Sequence, residues 1–209
     1  MVETSQEIFN TMRERHSVKH YDTSHKMSRE EVEQLLSAAH SAPSSWNLQH
    51  WKFLVIDDEQ KKQQLLPIAY GQKQVVESSV TIAILGDLEA NKNAETVYGE
   101  AVAKGALTEE IKGRLIGQID GAYQYPQVAR DEAILNASLA AMQLMLAAKA
   151  VGLDTCPMGG FDRKAFVEQF DISSRYVPVM LVVVGKAAKP AYASSRLPLG
   201  ETIFWNQML

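Results

Sequence analysis

The chain has 209 residues, 46% of them apolar and 22% charged, the composition of a globular domain and not of a disordered or fibrous segment. Its 21 Lys and Arg against 25 Asp and Glu leave a formal charge of −4, which argues against nucleic acid or an anionic membrane as the main partner. One cysteine, Cys156, excludes an intrachain disulfide and fits a reducing compartment.

Taken in chain order, residues 5–15 place Ile8, Phe9 and Met12 on one helical face. The N-terminal segment lacks the apolar core of a signal peptide, and no unbroken apolar run reaches the roughly 18–20 residues of a bilayer span, so a cytoplasmic protein is expected. "RHSVKHYD" (15–22) follows, a cationic, hydrogen-bonding stretch that reads as extended. Ser28 and Glu31 have capping-box spacing ahead of Val32, Leu35, Leu36 and Ala39, which predicts a helix that stops before Pro43. "WKFLVIDD" reads as a strand, "EQKKQQLLPIA" as a short helix and "SVTIAILGD" as a buried strand.

Residues 88–130 are polar, with scattered glycines and two weakly amphipathic patches. They are expected to form an excursion or lid, because they hold too few apolar residues for a core of their own. "DEAILNASLAAMQLMLAAKAVGL" (131–153) predicts a helix that is buried all round, in the core or at a subunit interface, and ends at Gly152. "CPMGGF" (156–161) reads as a loop, "DRKAFVEQF" as a helix capped by Asp162 and "VPVMLVVVGK" as a buried strand. Strands separated by helices imply helices covering a sheet, α/β or α+β.

Standard catalytic signatures are missing: no P-loop, no G-x-G-x-x-G after a strand, no G-x-S-x-G and no H-E-x-x-H. His16 and His20 are four apart but lack companion ligands, so no metal site is expected. Cys156 has no neighbouring acid or base in sequence and reads as a packed thiol. What remains is a set of polar clusters: "RHSVKHYD", "SAPSSWNLQHW" (41–51), "CPMGGF" and "SSRLPLGE" (194–201). Each alone is also ordinary turn chemistry. Together, Arg15, Ser17, Lys19 and Arg196 suit a phosphate, Asn47 and Gln49 suit the edge of a planar heterocycle, and Gly159-Gly160 would let backbone N–H groups approach a ligand. Phosphate, polyol and planar ring make a flavin mononucleotide.

In these motifs the sequence resembles the flavin-dependent nitroreductases. R-x-S-x-[KR]-x-[YF] matches Arg15, Ser17, Lys19 and Tyr21; A-P-S-x-x-N-x-Q matches Ala42, Pro43, Ser44, Asn47 and Gln49. The glycine loop matches Pro157, Gly159 and Gly160, and R-L-P matches Arg196, Leu197 and Pro198. The resemblance implies one α+β domain with a central, mostly antiparallel sheet flanked by helices, in an intertwined homodimer with two FMN sites at its interface. It implies that Arg15, His16, Ser17 and Lys19 hold the phosphate and ribityl chain with Arg196. Pro43, Ser44, Ser45, Asn47 and Gln49 would line the flavin from the partner subunit. Pro157, Met158, Gly159 and Gly160 would pass near flavin N5, Gln72 of "GQKQ" near the ring or ribityl, and Lys19 would place charge near N1–O2. Gly71, where many relatives have Asn, and Ser194, where some have Lys, depart from the pattern.

The implied activity is transfer of hydride from NADH or NADPH to the flavin and on to nitroaromatic or quinone-type acceptors, with ping-pong kinetics and no catalytic side chain. The alternatives are a flavin- or nucleotide-binding protein without turnover, and a dehalogenase, flavin destructase or peptide oxidase on the same scaffold.

Overall fold

The computed structural model describes residues 2–208. In chain order these form α1 (Val2–Glu14), α2 (Arg29–His40), β1 (Trp51–Ile56), α3 (Glu59–Ile68), α4 (Gln74–Glu77), β2 (Val80–Asp87) and α5 (Ala94–Ala103). α6 (Glu109–Tyr123), α7 (Pro126–Ala150), β3 (Asp154–Met158), α8 (Arg163–Gln169) and β4 (Tyr176–Gly185) complete the chain. The strands make one sheet in the order β1-β2-β4-β3, with every pair antiparallel. The α+β expectation holds.

Strand alternation sets the layers. Val80, Ile82, Ile84, Val182 and Val184 face α2 and α7, whereas Ala83, Leu85, Leu181 and Val183 face the helices α3 and α8. Ser28 caps α2 as its spacing predicts: its Oγ accepts from the Glu31 N–H at 3.2 Å, and its own N–H donates to Glu31 at 2.7 Å. α7 passes so near β2 that a Cβ on Gly86 would lie 2.7 Å from the Ala133 carbonyl oxygen. In β4, Pro178 and Met180 pair with Leu85 and Ile84, leaving Val179 as a bulge. A bulge is where a strand tolerates proline.

Three expectations change. "CPM" is not loop: Cys156, Pro157 and Met158 lie in β3, an edge strand paired with β4. α7 starts at Pro126, ahead of residue 131, with proline in its first turn. Within one chain it is also not buried all round, as core placement alone would require. Ala133, Ala137, Ala140, Ala141 and Leu144 are buried, but Leu135, Leu139 and Met142 are 56%, 43% and 40% exposed. Ile8, Phe9 and Met12 of α1 are similarly exposed, and Ile8 and Met12 line a groove with Leu146, Ala147 and Ala150 of α7. By length and hydropathy α7 could cross a bilayer, yet it packs on α2 and all four strands. Gly152 ends it at φ +79°, as its position predicts.

Buried Ala90, Ala94, Tyr98 and Ile119 of segment 88–130 cluster with Leu48, a residue from outside that segment.

Candidate functional site

The first and third clusters meet at the edge of the sheet. After α1, the chain runs extended beside β3: Ser17 pairs with Thr155 in a parallel bridge, and the Val18 N–H donates to the Thr155 carbonyl at 3.1 Å. Arg15 is half-buried, and its Nη1 is buried with no hydrogen-bond partner among the described residues. The Thr155 hydroxyl, on a residue 1% exposed, is likewise unpartnered. Neither Arg15 nor Lys19 forms an ion pair among the described residues. A buried cationic donor without an acceptor is costly, so Arg15 Nη1 is an atom with an unmet hydrogen bond at this edge.

Cys156 is not isolated as its sequence surroundings suggest. Burial pushes its thiol pKa up, while Lys19, Ser17 and Arg15 pull in the opposite direction. It packs beneath the cationic segment, and sequence separation hid that neighbourhood.

The glycine loop is held from two sides. Arg163 donates to the Gly159 carbonyl at 3.2 Å and to the bulge carbonyls of Pro178 and Val179 at 3.1 and 3.2 Å. Its guanidinium lies 4.8 Å from the Phe161 ring centroid. Gln72 donates to the Gly160 carbonyl at 2.8 Å, so the "GQKQ" segment does reach the third cluster. Both carbonyls are thus engaged, while the N–H groups of Gly159 and Gly160 have no hydrogen-bond partner among the described residues. Sequence reasoning missed Thr155 and Arg163. Nothing local marks either one; only the register of β3 and the bulge in β4 give them their roles.

The second cluster is elsewhere. It leads into β1, at the opposite edge from β3, three strand spacings or about 14 Å across the sheet. Trp46, Asn47 and Gln49 all have left-handed backbones, at φ 51°, 55° and 51°. Such residues cost on the order of 1–3 kcal/mol each and persist only where their surroundings hold them. Here Ser44 Oγ accepts from the Gln49 N–H at 3.0 Å, and Asn136 of α7 accepts from the Ser45 N–H at 2.8 Å. Pro43 and Asn47 are exposed. The loop is thereby fixed to α7, the helix that also carries exposed Leu135, Leu139 and Met142.

Arg196 is not brought to Arg15. It lies in an exposed C-terminal segment and donates to Ser194 Oγ and the Ser195 carbonyl. Tyr192, Leu197, Leu199, Phe204 and Trp205 are exposed in the same segment. One chain therefore assembles Arg15, His16, Ser17, Lys19, Pro157, Met158, Gly159, Gly160 and Gln72, but not residues 43–49 or Arg196.

The family model described as "Nitroreductase family" matches residues 12–186. The chain is 59% identical over 194 residues to "Putative NAD(P)H nitroreductase YodC" of Bacillus subtilis, covering 93% of this chain and 96% of that protein. It is 40% identical over 210 residues to "Putative NAD(P)H nitroreductase YdgI" of the same organism, covering 99% and 100%. Its fold matches the crystal structure "of a putative nitroreductase in complex with FMN" from Exiguobacterium sibiricum with TM-score 0.89 and 41% identity, over 95% of this chain and 97% of that one.

Proposed function

Because the chain belongs to the nitroreductase family, we propose that it is a cytoplasmic, homodimeric FMN-dependent oxidoreductase. It takes reducing equivalents from NADH or NADPH and passes them to nitroaromatic or quinone-type acceptors in ping-pong fashion. Two similar proteins carry NAD(P)H in their names, and a similar fold was crystallised with FMN. The whole chain forms one domain in this reading, with residues 88–130 as an excursion beside the site.

The residues present fit that cofactor. Arg15 Nη1 and Thr155 Oγ1 are buried polar atoms that lack partners, and a phosphate or ribityl hydroxyl would supply them. Lys19 and Ser17 add charge and a hydroxyl alongside. His16 contributes backbone only. The free N–H groups of Gly159 and Gly160, held in place by Arg163 and Gln72, would donate to the ring. Bound FMN supplies the two-electron chemistry, accepting hydride and yielding it to the acceptor. Lys19 would stabilise negative charge on the pyrimidine edge. Loop residues 43–49 and Arg196, absent from the cluster within one chain, come from the partner or fold in on dimerisation. Exposed apolar faces on α1 and α7 supply the dimer contact.

The buried, unpartnered Nη1 of Arg15 carries this reading. Purified protein should perturb the visible spectrum of added FMN, and Arg15→Ala should weaken FMN binding by about one to two orders of magnitude, the loss of charge-assisted hydrogen bonds. An unchanged FMN affinity in the variant removes Arg15 from the site. Anaerobic bleaching of bound FMN by NADH or NADPH separates an enzyme from a flavin carrier.

A further inference from the structure

The excursion is built around the second cluster. Leu48, fully buried, fills the space between Ala90, Ala94, Tyr98 and Ile119, and Trp46 packs on the same group. Two side chains of the excursion also take loop carbonyls: Tyr98 Oη donates to Trp46 O at 2.9 Å, and Asn93 Nδ2 donates to Leu48 O at 2.8 Å. Gln49 Nε2 takes the carbonyl between them, Asn47 O, at 3.0 Å. Three successive carbonyls are therefore engaged across a stretch whose backbone is left-handed at Trp46, Asn47 and Gln49 without a glycine. A lid that swung free of this loop would uncover Leu48 and break both hydrogen bonds.

We infer that Asn93 and Tyr98 are positioning residues for the flavin: they hold loop 44–49 in the strained form that presents Asn47 and Gln49, so the excursion is a brace and not a free lid. The inference rests on the reading above, in which this loop faces the flavin of the partner subunit. Neither side chain touches the cofactor in this role. Each acts through a backbone carbonyl, and deleting either donor lets the loop relax toward commoner backbone angles.

Tyr98→Phe keeps the ring in the cluster and removes only the donor; Asn93→Ala removes the other. Ile119→Val thins the same cluster and leaves both hydrogen bonds. FMN affinity and the visible circular dichroism of bound FMN are measured on each purified dimer, with thermal melting alongside. Tyr98→Phe and Asn93→Ala should each raise the FMN Kd about 2- to 10-fold and alter the flavin dichroism. Ile119→Val should lower the melting temperature and leave both flavin readouts at wild type. Wild-type affinity and dichroism in the first two variants overturn the inference, and equal weakening in Ile119→Val overturns it as general loosening. Wild-type protein that binds no FMN sinks the underlying reading and this inference with it, an outcome distinct from wild-type binding with silent variants.

Discussion

At Gly86 a single missing carbon lets α7 lie against the sheet. An added methyl would sit 2.7 Å from Ala133 O and 2.9 Å from its carbonyl carbon, both backbone atoms that cannot rotate away. Gly86→Ala should therefore destabilise the fold by about 1–3 kcal/mol, the ordinary range for overpacking, read as a lower urea midpoint at unchanged slope. Nothing in "ILGDL" announces that contact, because Gly86 and Ala133 are far apart in sequence. Local signals behaved differently. The Ser28–Glu31 capping box, the Asp162 cap and the positive φ of Gly152 were legible, since each is settled within one turn of chain. Arg163 was not, because its three acceptors lie in the glycine loop and in a bulge.

Between elements, the excursion is tied to the sheet at both roots. At its start, the Leu88 N–H donates to the carbonyl of Arg175 at 2.9 Å, and the Arg175 guanidinium gives two hydrogen bonds to buried Asp87, at 2.7 and 2.6 Å. At the end of α6, Tyr123 Oη meets Nε2 of His50 at 2.9 Å, while His50 Nδ1 is buried without a partner. Burial lowers the His50 pKa, against weaker opposition from Glu132 and Asp87. The unfolded chain then binds a proton at this site below about pH 6.5 that the native state resists. Stability contributed here is complete above that pH and declines as pH falls. Urea unfolding between pH 7.5 and 5.5 should show this loss, and His50→Gln should reduce the slope. A variant with the same pH slope as wild type would clear His50 of the effect. The same scale holds the main misreading of the sequence. "TCPM", with its proline and following glycines, has the composition of a turn, yet it is a strand because it pairs at an edge, where one side needs no donors.

For the molecule as a whole, the apolar faces of α1 and α7 and the C-terminal segment with Tyr192, Leu197 and Trp205 are left uncovered by the chain itself. The run of 131–153 showed that an apolar helix was present, but not which stripe the chain itself would cover. That depends on α2 and the sheet taking the alanine side and leaving Leu135, Leu139 and Met142 outward. Leu139→Lys should convert the proposed dimer to monomer at micromolar concentration, checked by light scattering after size exclusion; a variant that stays dimeric places the interface elsewhere. The separation of the phosphate-type cluster and the left-handed loop on opposite sheet edges bears on inheritance of defects. If each flavin draws one from each subunit, a chain damaged at Arg15 and a chain damaged at Asn47 complement one another. Their mixed dimer carries one doubly broken site and one intact site, so two separately inactive proteins regain activity when co-assembled.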